Sequence, residues 1–359
     1  MTKKKRDYLM KIVVLAGGLS PERSVSLVSG ALIANTLAKA GHRVALVDLY
    51  FGVELPDGTT EALFTDRCNY TATIEEAAPD LEAVKRQNNG REELIGKNVL
   101  AVCRAADVVF LALHGAAGEN GQLQATLDSF GIRCYTGSGY AGSLLAMDKE
   151  ISKQLFRSAG VPTADWVLLR ADNENAKNSI LTSIGLPCVI KPLSCGSSVG
   201  VSIVETEEAL DAALTAAFAY GPRILAEKKI VGRELSVGYL GGRVLPPIEI
   251  IPLTGFYDYK NKYQPGMTEE ICPAALTDEQ VRRVSGYTAN AFDALHLSGY
   301  ARFDFILSET DGEFYCLEAN TLPGMTPASL LPQEAAAVGI DYTALCEKLV
   351  ALAKEPKDV

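Results

Sequence analysis

The stretch YARFDFILSETDGEFYCLEANTLPGMTPAS, residues 300–329, decides how the rest of the chain is read. It predicts two strands, over 300–307 and 313–320, joined by a turn at Thr310-Asp311-Gly312. Side chains alternate along a strand, so Phe303, Phe305 and Leu307 share one face, with Tyr315, Leu317 and Ala319 as apolar partners. The other face then carries Arg302 and Asp304 from one strand and Glu318 and Asn320 from the other. A three-residue loop with Gly312 left-handed sets Asp304 opposite Glu318 and Arg302 opposite Asn320. Two carboxylates, an amide oxygen and a guanidinium on one patch suit magnesium held beside phosphate, because magnesium takes oxygen ligands. A solvated sheet face fits the alternation equally well. The choice between them falls to the rest of the chain.

Upstream, LPCVIKP (186–192) is a strand with Lys191 set in an apolar run, where a lysine is costly unless paired, which favours a ligand anion as its partner. Directly after it, Ser194-Cys195-Gly196-Ser197-Ser198-Val199-Gly200 is rich in glycine and small hydroxyl residues. It lacks Walker A spacing, yet its backbone N–H groups can approach phosphate oxygens closely. An ordinary hairpin loop is the plainer reading, and Lys191 beside it tips the balance. The segment 139–160 is helical, with Asp148 as N-cap of its second part. Lys149 then falls in a first turn, the end that disfavours a cation. Glu227 and Glu234 lie near strand ends, either as solvated carboxylates or as acceptors for a base edge and ribose hydroxyls. The polar excursion 252–273, PLTGFYDYKNKYQPGMTEEICP, is long enough to be a lid.

The beginning of the chain reads as a parallel-sheet domain. KIVVLA (11–16) is a buried strand ending at Gly17-Gly18, followed by a helix over 25–40, a stop at Gly41 and a strand over 43–49. DVVFLAL (107–113) is another buried strand, a helix follows over 121–130, and a last strand is predicted over 132–135. Without a G-x-G-x-x-G the nicotinamide reading is weak. Residues 50–97 read as an acidic elaboration outside the sheet. Glu22 and His114 both follow C-terminal ends of strands, where ligands of parallel sheets bind. Taken singly, each is better explained as a helix-start charge and a turn histidine.

A chain of 359 residues exceeds one ordinary core, and 48% hydrophobic with 22% charged residues is globular composition. A net charge of −10 argues against nucleic acid as main partner. No apolar run approaches the about 18 residues of a membrane span. The basic start MTKKKRDYLMK lacks an apolar signal core, which points to the cytoplasm. Eight cysteines without a C-x-x-C pair suit reduced thiols, and three dispersed histidines do not suggest a metal centre.

These residues together resemble the D-alanine–D-alanine ligase family of the ATP-grasp superfamily. The motifs are GGLSPERSVS (17–26), ALHGAAGENG (112–121), YTGSGYAGSLLAMDK (135–149), VIKPLSCGSSVGVS (189–202), GFYDYKNKY (255–263), ARFDFIL (301–307) and LEANTLPGMTPASL (317–330). Their order and length make the match far more specific than any one of them. The LSPERSVS wording and the 50–97 insertion are similar to the branch that includes D-alanyl-D-serine ligases.

The resemblance implies an α/β ATP-grasp fold: a Rossmann-like domain over 1–137, a central lobe over 138–230 and a C-terminal lobe over 231–359. It implies that Lys149 and Lys191 hold the phosphates of ATP, covered by Ser194, Gly196 and Ser198. Glu227, the Lys228 backbone and Glu234 take the adenine and ribose. The position that often holds an aromatic near the adenine is Lys229 here, a departure from the pattern. Asp304, Glu318 and Asn320 bind two magnesium ions, for which manganese can substitute. Glu22, bridged to Ser197 and Tyr263, receives the first substrate's ammonium, with His114 near its carboxylate. Arg302 and the Gly324 N–H stabilise oxyanions, and Lys262 and Ser329 hold the second substrate's carboxylate. Tyr263 and Leu330 have the form of D-alanine enzymes; D-serine is the runner-up. Family habit also implies a homodimer, with D-alanine and ATP as small-molecule partners.

Overall fold

Why KIVVLA becomes a central strand follows from its composition, since a wholly apolar strand needs cover on both faces. In the computed structural model, which describes residues 9–74, 79–173, 175–193, 199–253 and 266–357, β1 (Lys11–Ala16) runs between β2 (Arg43–Asp48) and β3 (Val108–Leu111). Both neighbours are parallel to it. The helix Arg23–Ala40 packs on this sheet and stops at Gly41, whose φ of 109° lets its N–H reach the Ala38 and Leu37 carbonyls. The strand predicted over 132–135 is only a single bridge, Val109 to Tyr135. Within 50–97 the described residues form short helical turns and the helix Leu81–Gln87, and Thr65 joins the edge of β2 at Val44 by an isolated antiparallel bridge.

A second sheet is antiparallel throughout: β4 (Trp166–Arg170), β5 (Cys188–Pro192), β6 (Ser202–Val204) and β7 (Arg223–Lys228), in the order β4-β7-β5-β6. It has a core of its own that includes Leu169, Ile180, Ile190, Leu214 and Ile224. The third sheet comprises β8 (Gly232–Leu240), β9 (Ile248–Pro252), β10 (Thr268–Ile271), β11 (Tyr300–Ser308) and β12 (Phe314–Asn320), in the order β10-β9-β8-β11-β12. The lid expected over 252–273 is therefore partly sheet, because Thr268–Ile271 pairs with β9. Residues 254–265 of that segment lie outside the described residues.

The hairpin of β11 and β12 keeps the expected register by a different route. Asp304 does pair with Glu318, and Arg302 with Asn320. Nearer the turn, however, Leu307 pairs with Phe314 and Phe305 with Cys316, because the Ser308 N–H donates to the Glu313 carbonyl and closes a four-residue loop. A bulge at Leu317 absorbs the extra residue and restores the pairing beyond it. Gly312 has the left-handed φ expected of it, 68°. The bulge corrects the apolar set. Phe314 and Cys316 are buried with Phe303, Phe305 and Ala319, while Tyr315 and Leu317 are only half-buried.

Cores do not follow the boundary at residue 137. Leu322, Met325, Leu331, Leu345, Leu349 and Val350 belong to the same cluster as Ile12, Val14 and Phe110 of the first sheet. The helix Tyr342–Leu352 packs against the helix Arg23–Ala40. Similarly, Ala146 and Phe156, from the helices Tyr140–Met147 and Lys149–Ser158, pack with Val237, Phe303 and Phe305 beneath the third sheet.

If the bulge sets the buried side of β12, Phe314→Ala costs about 3–5 kcal/mol of stability. Leu317→Ala should cost well under half of that. Urea unfolding of both variants checks the order; a larger loss at Leu317 would contradict the register.

Candidate active site

Pairing across the third sheet sets one face apart. Ser236 lies opposite Asp304 and Gly238 opposite Arg302, so Glu234, Ser236, Arg302, Asp304, Glu318 and Asn320 share a side. Leu235, Val237, Phe303 and Phe305 fill the other side and have no exposed surface. On the polar side the Arg302 guanidinium donates through Nε and Nη2 to both Asp304 oxygens, each at 2.9 Å. Ser236 Oγ donates to Asp304 Oδ1 at 2.9 Å, and Asn320 Nδ2 to Asp304 Oδ2 at 3.1 Å. This face is not a solvated surface: Asp304 is 7% exposed.

Two lysines reach the same region from other elements. Asp148 caps the helix Lys149–Ser158 by accepting from the Glu150 and Ile151 N–H groups. The cap fixes Lys149 at the helix start, and its Nζ lies 3.3 Å from Glu318 Oε2. The Lys149 N–H donates to the Leu193 carbonyl just beyond β5, the strand that carries Lys191. Lys191 pairs with Glu227 on the neighbouring strand β7. A second lysine, Lys153, meets the same carboxylate at 2.6 Å with no exposed surface. Burial alone would raise the Glu227 carboxyl; Lys153 and Lys191 more than offset that and hold it below its usual range.

A third group sits at the C-terminal ends of β1 and β3. Glu22, His114 and Glu119 are all buried. Gly115 has φ 76°, and a Cβ there would stand 2.8 Å from Glu22 Oε2, so only glycine admits this approach. Burial pushes the His114 imidazole down, leaving it neutral. Its Nδ1 therefore donates to the Leu322 carbonyl at 3.0 Å, and Nε2, 3.4 Å from Ser29 Oγ, is the acceptor. Glu119 accepts from the Gly115 N–H at 2.9 Å and the Leu322 N–H at 3.0 Å. Burial and the Glu22 charge raise its carboxyl to about 7. His114 and Glu119 both bind the Leu322 backbone, two residues beyond Asn320, which brings the strand ends of the first sheet up to the end of β12.

Comparison with known proteins then settles the family. A family model described as D-ala D-ala ligase N-terminus matches residues 11–138, and one described as D-ala D-ala ligase C-terminus matches residues 155–351. This chain belongs to the D-alanine–D-alanine ligase family. It is 43% identical over 349 residues to the D-alanine–D-alanine ligase of Pediococcus pentosaceus, covering 95% of this chain and 97% of that one. Among solved structures it resembles the Bacillus anthracis D-alanine–D-alanine ligase complexed with ATP, at 30% identity and a TM-score of 0.70. That match covers 96% of this chain and 97% of the other. The VanG D-Ala:D-Ser ligase of Enterococcus faecalis matches at 27% identity and a TM-score of 0.74, covering 96% and 99%. The fold is the α/β ATP-grasp fold of these D-alanine ligases, as the sequence implied.

Of the site residues that the family pattern implies, Arg302, Asp304, Glu318 and Asn320 share the polar sheet face, Lys149 reaches that face, and Lys191 meets Glu227. Asp304, Glu318 and Asn320 carry the oxygen donors that magnesium takes, with Asn320 turning its amide nitrogen to Asp304; among the described residues no three His, Cys, Asp or Glu side chains gather as a metal centre. Gly324 lies against Ser329: a Cβ at 324 would meet Ser329 Oγ at 2.9 Å. Leu330 is buried in a small apolar cluster with Ile248 and Ile250. The Lys228 N–H is taken by the Asp165 carbonyl, so a base edge would have to use the Lys228 carbonyl instead. Lys229 pairs with Glu205 at 2.6 Å. Ser194, Gly196, Ser197, Ser198, Lys262 and Tyr263 lie outside the described residues.

Sequence reasoning missed four polar residues. Lys153 stands four residues after Lys149, on the same helix face, which was a readable signal. Ser236 alternates with Glu234 and was equally accessible. Glu119 lay within a quoted motif without a role. Glu334 gave no signal: it is fully buried over Gly238, where a Cβ would lie 2.3 Å from its Oε2. Burial raises its carboxyl well above the usual range, so it holds its proton.

The Glu119 carboxyl titrates near 7 when folded and near 4.5 when unfolded. Its stabilising contribution is thus complete below the unfolded value and lost as pH rises through the folded one. Wild type should lose stability relative to Glu119→Gln between about pH 5 and about pH 8 in urea unfolding. A difference that stays constant with pH would contradict a protonated Glu119.

Proposed function

We propose that this chain is an ATP-dependent ligase that joins two D-alanines into D-alanyl-D-alanine for peptidoglycan precursors. One observation carries the reading beyond family membership: Arg302, Asp304, Glu318 and Asn320 share a sheet face, and Lys149 reaches that face from another element. A non-catalytic nucleotide-binding module needs the lysines but not this guanidinium.

A carboxylate is a poor electrophile and must be activated before an amine can attack it. The carboxylate oxygen of the first D-alanine attacks the γ-phosphorus of ATP, ADP leaves, and an acyl phosphate forms. Lys149 and Lys191 offset charge on the phosphates, and residues 194–200 cover them through backbone N–H groups. Asp304, Glu318 and Asn320 would hold magnesium, which supplies charge neutralisation on the transferring phosphoryl group. Glu22 takes the ammonium of the first D-alanine, in the arrangement with Ser197 and Tyr263 that the family pattern implies. Neutral His114, locked by Leu322 and Ser29, lies near that substrate's carboxylate without adding charge.

In the second step the amine of another D-alanine attacks the acyl carbon, phosphate leaves and the amine loses a proton. The Arg302 guanidinium and the Gly324 N–H stabilise the tetrahedral oxyanion. Ser329 and Lys262 hold the second carboxylate. Ser329 Oγ is fixed by the Thr326 N–H at 3.0 Å and the Thr326 hydroxyl at 2.9 Å. Leu330, packed on Ile248 and Ile250, presents an apolar wall that favours a methyl side chain over a hydroxyl. An acyl phosphate hydrolyses in water, which gives the 252–273 segment its use as cover. ATP is supplied in the cytoplasm, which is the compartment proposed for the reaction; separately, no helix of the described residues is long and apolar enough to cross a membrane.

Purified protein with ATP and magnesium should release phosphate only when D-alanine is present. No D-alanine-dependent release would overturn the reading. Apolar pockets reject an added hydroxyl weakly, so D-serine should compete as second substrate within about a hundredfold, with D-alanine preferred. Arg302→Met should lower kcat about 100- to 1000-fold. Glu318→Gln should stop phosphoryl transfer while circular dichroism shows a folded chain; wild-type turnover would remove Glu318 from the metal set.

A further inference from the structure

Glu227 is a buried carboxylate with two lysines, and the two do different things. Lys153 has no exposed surface; its Nζ lies 2.6 Å from Glu227 Oε2 and 2.6 Å from Thr163 Oγ1. The Thr163 hydroxyl donates its own hydrogen to the Cys316 carbonyl at 2.7 Å, so towards Lys153 it can only accept. Lys153 is thereby committed as a donor on both sides. The ring of Trp166, paired with Glu227 across β4 and β7, lies 5.5 Å from the ammonium. Among the described residues Glu227 is the one carboxylate in ion-pair contact with Lys153.

Lys191 is held differently. It faces Glu227 Oε1 as an ion pair, and its side chain keeps some exposure, about 10% against none for Lys153. Glu227 Oε1 is buried, and among the described residues Lys191 is the cation set against it. A buried acceptor that loses its donor is costly, and the cost is removed when another donor takes its place. Thr163 and Pro162 also bind Cys316, through its carbonyl and its N–H, one residue before the Leu317 bulge. Lys153 thus ties the β7 carboxylate to the strand that carries Glu318 and Asn320.

We propose that Lys153 is a positioning residue that holds Glu227 ionised and in place, so that Lys191 can pass from Glu227 to an incoming nucleotide phosphate. The freed Oε1 then accepts from an amino group of the nucleotide. Without Lys153, release of Lys191 would leave a buried carboxylate with no counter-charge, a state that buried ion pairs disfavour strongly. Glu227 would then keep Lys191 or take a proton, and either outcome weakens nucleotide binding. The inference rests on the ATP dependence proposed above and adds to it a residue outside the set that the family pattern implies.

The test measures ADP affinity by titration calorimetry on the full chain, with steady-state kinetics alongside. Lys153→Met keeps an unbranched stem in the same space. ADP affinity should fall about tenfold or more, with a matching rise in KM for ATP. The KM for D-alanine and kcat should change less than about threefold, because neither reacting atom is touched. The double variant Lys153→Met with Glu227→Gln removes both buried charges. It should bind ADP no worse than Glu227→Gln alone, and its midpoint of thermal unfolding should recover relative to Lys153→Met. A folded Lys153→Met protein with wild-type ADP affinity would overturn the proposal, as would additive losses in the double variant. If Lys153→Met does not fold, the double variant compared with Glu227→Gln decides alone. Wild-type protein that binds no ADP would instead refute the ATP-dependent reading itself.

Discussion

Burial of charge is the constraint on which this site depends. Arg302 lies on Asp304, Lys149 on Glu318, and Lys191 with Lys153 on Glu227. An isolated ion in such surroundings is expensive, so each cation and carboxylate is placed by its partner as much as by its own backbone. The pairs also connect elements distant in sequence: the helix Lys149–Ser158 reaches both β7 and β12 through Lys153 and Lys149. Packing beneath the third sheet supplies rigidity, while the ion pairs fix which side chains meet.

Much of the candidate site was legible because chemistry and periodicity agreed. Lys191 in an apolar run and Lys149 at the wrong end of a helix are local contradictions, and each is resolved by a carboxylate in space. The hairpin is more instructive. Alternation and a three-residue loop gave the right partners for Asp304 and Arg302, yet the loop has four residues and Leu317 bulges to compensate. The two one-residue shifts cancel beyond the bulge, at Arg302, Phe303 and Asp304, and remain on its turn side, from Phe305 to Leu307. Hence the carboxylates were placed correctly while Tyr315 and Leu317 were assigned to a core that Phe314 and Cys316 occupy.

What stayed hidden is long-range. Short strands such as β4, β9 and β10 lack a strong period of two and owe their existence to sheet partners. Lys153 shares a helix face with Lys149, which the spacing shows, but its complete burial follows only from the approach of Glu227 and Thr163. Glu334 cannot be told from a surface glutamate until β8 passes beneath it with glycine at 238. The loop 194–198 and residues 254–265 are described by sequence alone, so Ser197, Lys262 and Tyr263 rest on the family pattern.

The shared core has a consequence for how the protein is made. Residues that complete the hydrophobic interior of the first sheet, Leu345, Leu349 and Val350 among them, are synthesised some three hundred residues after β1. As the ribosome works through the middle of the chain, one flank of the helix Arg23–Ala40 has no cover from Tyr342–Leu352. An apolar surface that waits this long is open to wrong contacts during synthesis. Completion of the amino-terminal unit is thus tied to emergence of the carboxyl-terminal helix, and a chain broken off early carries an unfinished interior at its opposite end.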